Sequence, residues 1–81
     1  MLSSLRSSHW PSKGTVIAEI PPIAAYKFNL GPAQMIELNI NDNSILKLVV
    51  EGKYYDVLSE HYIKIRLEIG ESLGIQPVRS K

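Results

Sequence analysis

The chain has 81 residues, a formal net charge of +1 and no cysteine. A chain of this length folds as one domain that buries only about 60% of its unfolded surface, and without cysteine no disulfide or thiolate metal site adds stability. No apolar run approaches the roughly 18 residues of a membrane span, and residues 1–13 lack the apolar core of a signal peptide. We therefore expect a cytoplasmic or viral intracellular protein without membrane contact.

Composition divides the chain into three parts. Residues 1–13 contain five serines and few apolar side chains, which predicts a flexible basic arm. A single β domain is predicted at 14–78 and a short basic tail at 79–81. Trp10 is the exception within the arm, because a tryptophan there either docks on the domain or contacts a partner.

Charge is unevenly distributed along the chain. All eight acidic residues lie between Glu19 and Glu71, where five basic residues accompany them, whereas both ends carry basic residues alone. Basic ends on a mildly acidic body are typical of contacts with phosphate or with an acidic partner. Lysine and arginine at solvated ends also promote solubility, so both interpretations stay open.

The sequence of the first half of the domain predicts two strands followed by a hairpin. Thr15–Ile20 is rich in β-branched residues and ends at two prolines, which cannot donate to a ladder. Ala24–Leu30 is predicted as the second strand because its alternate residues are apolar. Gln34–Ile40 and Ile45–Glu51 alternate in the same way on either side of an asparagine- and aspartate-rich turn, which predicts an antiparallel hairpin.

The second half contains the most regular pattern in the chain. A turn at Gly52 leads into a short predicted strand over Tyr54–Leu58. His61–Ile69 then alternates without a break, with aliphatic side chains on one side and a tyrosine, a lysine, an arginine and a glutamate on the other. This pattern predicts a strand with one face in the core and one in water. Leu73–Val78 is predicted as a last short strand.

A helix competes with the strand at residues 58–73. An apolar stripe with helical spacing runs through Leu58, Tyr62, Ile65, Ile69 and Leu73. Gly74 is suited to end such a helix. Gly70 would lie inside it at a cost of about 1 kcal/mol, and the isoleucines of this segment favour a strand.

Together the elements predict an all-β fold, a small antiparallel barrel or sandwich of five to seven short strands with the size of OB and SH3-like barrels. If residues 58–73 are helical, the fold is α+β, with a sheet packed by one C-terminal helix. Both architectures host many unrelated functions, so the fold alone does not indicate one.

No catalytic, metal or cofactor site is predicted, and no small-molecule substrate is expected. Ser59, His61 and Asp56 are close in sequence, but the members of a catalytic triad usually come from separate elements of a larger scaffold. His61 and its acidic neighbours are too few ligands for a metal. The isolated glycines do not form a phosphate loop.

One candidate function is the binding of single-stranded nucleic acid. Tyr62, Lys64 and Arg66 share the polar face of the predicted strand, and Lys53 and Tyr54 are expected to join them from the preceding strand. Small β-barrels stack bases on such aromatic rings while lysine and arginine follow the phosphates. The acidic body argues against this function, because strong nucleic-acid binders carry a clearer basic excess.

The function that we place first is protein–protein association by a small non-enzymatic binding or assembly module. An apolar patch of the kind that marks contact sites is predicted from Trp10, Ile17, Pro21, Pro22, Ile23 and Met35. The expected partner is a protein or a second copy, and a homo-oligomer is favoured because association hides the sheet edges of a small β domain. A closed fold that covers both faces of the first strand would bury these residues instead.

Overall fold

The computed structural model describes residues 10–80 and, for Glu68 and Ile69, the backbone alone. In chain order the elements are β1 (Thr15–Glu19), α1 (Pro22–Lys27), β2 (Met35–Asn39), β3 (Ser44–Val50), β4 (Lys53–Asp56), a 3₁₀ turn (Ser59–His61), α2 (Leu67–Ser72) and β5 (Gln76–Ser80). The five strands form one antiparallel sheet in the order β4-β3-β2-β1-β5. The predicted antiparallel fold of five to seven strands is confirmed. Within residues 10–80, no helix has the length and apolar character needed to cross a bilayer.

The predicted hairpin is formed by β2 and β3. Ile36 pairs with Leu48 in the antiparallel register, and the register shifts between Glu37 and Leu38. Asn43 adopts a left-handed backbone conformation with φ of 56° in the connecting turn, as the asparagine-rich sequence predicts. The hairpin was readable from sequence because both its strand pattern and its turn are local.

The two faces of the sheet differ in what covers them. One face carries the apolar core, to which the strands contribute Val16, Ala18, Ile36, Leu38, Ile45 and Leu48. Both helices pack on this side, since Ala24 and Ala25 of α1 belong to the core and Leu67 of α2 packs against it. We call the opposite side the open face. It carries Ile17, Glu37, Lys47, Tyr54 and Arg79, and no helix of the described chain covers it.

The predicted strand over Ala24–Leu30 is wrong, because its first four residues belong to α1. Pro22 suits the first turn of a helix, where no backbone N–H is needed. Asn29, two residues after the last residue of α1, has a left-handed backbone with φ of 59°. Leu30 N donates to Ala25 O at 2.8 Å, and Asn29 N donates to Tyr26 O at 3.1 Å, which is the Schellman pattern.

The predicted strand over His61–Ile69 is also wrong, although its first half is extended. Lys64 forms an isolated antiparallel bridge with Ser44, and Ile65 is buried. This contact is limited to the start of β3, because β4 already pairs with Lys47–Val50 along the same edge. The chain then turns into α2, which lies within the 58–73 range of the competing helix.

Trp10 docks on the domain, where it packs against the core and approaches Gly70. Residues 1–9, with most of the predicted arm, lie outside the described residues, as does Lys81 of the basic tail. The flexibility of the arm therefore stays a prediction.

Candidate protein interface

The outer side of α1 is the most exposed apolar surface of the described chain. Ile23 is 65% exposed and Tyr26 is 88% exposed, while Ala24 and Ala25 between them are buried. Residues three and four apart lie on one side of a helix, so Pro22 and Ile23 neighbour Tyr26. We call Pro22, Ile23 and Tyr26 the α1 surface.

A groove of about 490 Å³ runs beside the α1 surface. Its walls come from the start of α1 and from the loop that follows the helix. The lining residues are Ile20, Pro22, Ala25, Tyr26, Asn29, Gly31, Pro32, Ala33 and Gln34. None of them is charged, so an apolar side chain of a partner could enter the groove without removing a protein charge from water.

The predicted interface residues do not form one patch. Pro22 and Ile23 are exposed on α1, and Pro21 is half-buried at its N-terminus. Ile17 is only 3% exposed on the open face, which Met35 shares because it is two residues from Glu37 on β2. With Trp10 packed on the core, only Pro22 and Ile23 of the predicted set are freely accessible.

Sequence reasoning missed Tyr26. The predicted strand over Ala24–Leu30 placed this side chain in the core, whereas the helix turns it into water. The sequence did contain a helix signal here: two prolines, then two alanines, then an asparagine. These residue types start, propagate and end a helix.

The predicted nucleic-acid residues are also divided between two places. Tyr54 lies on the open face of β4, with Lys53 one residue before it. Lys64 and Arg66 line a separate pocket beside the turn between β2 and β3. The hydroxyl of Tyr62 donates to Ser44 Oγ at 3.0 Å, which ties Tyr62 to the beginning of β3.

An ion pair lies on the open face, where Lys47 Nζ is 2.8 Å from Asp56 Oδ1. The hydrogen bond to Asp56 and its negative charge raise the pKa of Lys47, and Lys47 lowers the pKa of Asp56 for the same reasons. Both side chains are solvent-exposed, so the pair contributes little to stability. It links the side chains of the neighbouring strands β3 and β4.

No protein-family model matches this chain, and neither curated proteins nor solved structures show a significant match. Among the described side chains, histidine, aspartate and glutamate do not gather into a group of three that could hold a metal ion.

Proposed function

We propose that the protein is a small non-enzymatic assembly module that binds a second copy of itself through the α1 surface. The observation that carries this proposal is the 88% exposure of Tyr26 next to the exposed Ile23. Tyrosine is enriched among the residues that dominate binding energy, since it buries a large area at a low cost in conformational entropy. Water contact at both side chains is a free-energy cost that association would remove.

Self-association is favoured over a foreign partner by the charge of the surface. A two-fold interface places the same patch of both copies face to face. Lys27, an exposed residue of α1, lies beside Ile23 and Tyr26, and the whole chain has a net charge of only +1. A long lysine side chain can keep its charge in water at the rim of a contact, so repulsion between two copies is weak.

The test is the mass of the full chain in size-exclusion chromatography with light scattering. We expect a mass that is a multiple of 9.1 kDa. In an Ile23→Ala/Tyr26→Ala variant the dissociation constant should rise at least about thirtyfold, since loss of a binding hot spot costs about 2 kcal/mol or more. Alanine favours helix, so α1 should persist, and circular dichroism checks this.

Tyr54→Ala is the matched control, because Tyr54 is a half-exposed tyrosine on β4 rather than on α1. This variant should keep the oligomer mass of the unchanged protein. If the unchanged protein has the mass of a monomer at millimolar concentration, self-association is rejected. Equal masses for the unchanged protein and the double α1 variant would reject the α1 surface as the interface.

A further inference from the structure

A second surface, separate from α1, is a polar pocket that we call the basic pocket. It has a volume of about 560 Å³ and lies between the segment before β1, the turn after β2 and the segment before α2. The lining residues are Ser12, Ile40, Asp42, Asn43, Lys64, Arg66 and Leu67. Two positive side chains, a hydroxyl and an amide thus converge on one cavity.

The fold holds the two cations of the pocket in place through the residue between them. Ile65 is 2% exposed in the core, and its backbone N–H donates to Asn43 O. In an extended segment the neighbours of a buried residue point the opposite way. Burial of Ile65 therefore directs Lys64 and Arg66 outward on the same side.

The charge balance of the basic pocket is positive. Asp42 is the single acid of its lining, and its Oδ1 already accepts hydrogen bonds from the N–H and the hydroxyl of Ser44. Among the described side chains, none forms an ion pair with Lys64 or Arg66. Lys13, which is exposed, follows Ser12 in the chain. The two cations are therefore available to an anion.

An aromatic ring is anchored next to these cations. Tyr62 is 52% exposed, and its hydroxyl is bonded to Ser44, the residue that also bridges to Lys64. The hydrogen bond restricts the ring without covering it. A half-exposed aromatic ring beside lysine and arginine is the arrangement with which proteins hold single-stranded nucleic acid, by stacking a base and neutralising phosphates.

We infer that the basic pocket binds a phosphate group of single-stranded nucleic acid. Lys64 and Arg66 contact the phosphate, the Ser12 hydroxyl and the Asn43 amide donate to its oxygens, and the Tyr62 ring stacks on an adjacent base. This inference goes beyond the proposed self-association and uses none of the α1 residues, so either can fail without the other.

The experiment is fluorescence anisotropy of a labelled mixed-sequence single-stranded oligonucleotide titrated with the full chain at several salt concentrations. We expect binding at low salt that weakens as salt rises, because bound cations displace counterions. A Lys64→Ala/Arg66→Ala variant should bind at least tenfold more weakly. Its slope of log affinity against log salt should be smaller by about 0.7, since the pocket neutralises one phosphate and each neutralised phosphate of a single strand contributes about 0.7.

A Lys27→Ala/Arg79→Ala variant makes the same change in net charge away from the pocket, at α1 and β5. We expect it to bind close to normally. Equal loss of affinity in both double variants, or no binding at low salt, would overturn the inference.

Two variants of Tyr62 test the stacking. Tyr62→Ala should weaken binding about five- to hundredfold, the range that corresponds to 1–3 kcal/mol per stacked base. Tyr62→Phe should retain the affinity, because the ring is preserved. Unchanged binding in Tyr62→Ala would remove the ring from the site.

Titration with inorganic phosphate distinguishes a pocket that binds free anions from one that binds nucleic acid. Nuclear magnetic resonance shifts at Lys64 and Arg66 with inorganic phosphate, without binding of the oligonucleotide, would overturn nucleic acid as the ligand.

Discussion

At the scale of single residues, Ser44 connects three parts of the chain. It is fully buried, it donates to Asp42 in the preceding turn, and it accepts from the Tyr62 hydroxyl at 3.0 Å. A buried hydroxyl is tolerated when its hydrogen-bonding capacity is used, and here both roles are filled. The side chain therefore holds the extended segment around Tyr62 against the beginning of β3.

Removal of the Tyr62 hydroxyl should measure this connection. We expect Tyr62→Phe to lower the free energy of unfolding by about 0.5–1.5 kcal/mol, the usual net contribution of one hydrogen bond. Urea denaturation followed by circular dichroism gives the value. Tyr54→Phe is the control, because the Tyr54 side chain is 50% exposed, close to the 52% of Tyr62, and has no hydrogen bond within the described chain. Equal stability of the two variants would show that the Ser44 contact contributes nothing.

At the scale of elements, α2 is defined by two glycines with opposite roles. Gly70 lies inside the helix, where Trp10 packs close to it. Gly74 ends the helix with φ of 84°. Ile75 N donates to Gly70 O at 2.7 Å and Gly74 N to Glu71 O at 3.0 Å, so α2 ends in a Schellman motif as α1 does. The competing helical interpretation of residues 58–73 had Gly74 at a helix end, whereas the favoured interpretation put it inside a strand over Leu73–Val78.

Replacing Gly70 with alanine should stabilise the protein, whereas replacing Gly74 with alanine should destabilise it. A Cβ at Gly70 would lie 3.7 Å from Ile75 Cβ and 3.8 Å from Trp10 Cζ2, which are ordinary contacts. Gly70→Ala should therefore stabilise the protein by up to about 1 kcal/mol through helix propensity. A Cβ at Gly74 would lie 3.3 Å from Pro21 Cγ, and the left-handed backbone adds about 1–2 kcal/mol of strain.

Thermal denaturation of both glycine variants checks the two signs. We expect a higher midpoint for Gly70→Ala and a lower midpoint for Gly74→Ala. A lower midpoint for both would mean that the space beside Gly70 is tighter than its contacts indicate.

At the scale of the whole molecule, one sheet is covered by helices on one face only. The core layer is thin, because α1 and α2 have six residues each. Trp10 supplements this layer from a segment outside the sheet. The first described residues are therefore part of the core of the domain rather than an appendage.

Trp10→Ala should accordingly destabilise the domain. We expect a loss of about 2–3 kcal/mol, below the 3–5 kcal/mol of a fully buried tryptophan because Trp10 is half-buried. Tyr54→Ala, which removes a half-exposed tyrosine outside the α1 surface, should cost less than Trp10→Ala, because about half of its side chain is already in water. Guanidinium denaturation gives both values, and an unchanged midpoint for Trp10→Ala would contradict its structural role.

The sequence by itself determined the features that depend on neighbouring residues. β-branched residues specified β1, alternation of apolar and polar side chains specified β2 and β3, and the asparagine-rich turn specified the hairpin of β2 and β3. The same local pattern placed Lys64 and Arg66 outward of Ile65. For Pro22 and Ile23 the sequence left both exposure in an apolar patch and burial in a closed fold open.

Only the tertiary structure decided which segments predicted as strands form helices instead. α1 is too short to show a helical period, and it forms because Ala24 and Ala25 can be buried against the sheet. The segment from His61 could have remained a strand, but β4 occupies the adjoining edge of β3 and leaves room for one bridge. Strand formation requires a free partner edge, and helix formation does not. The helical form of α1 leaves Tyr26 in solvent, and the single bridge of Lys64 leaves Tyr54 apart from the pocket of Lys64 and Arg66.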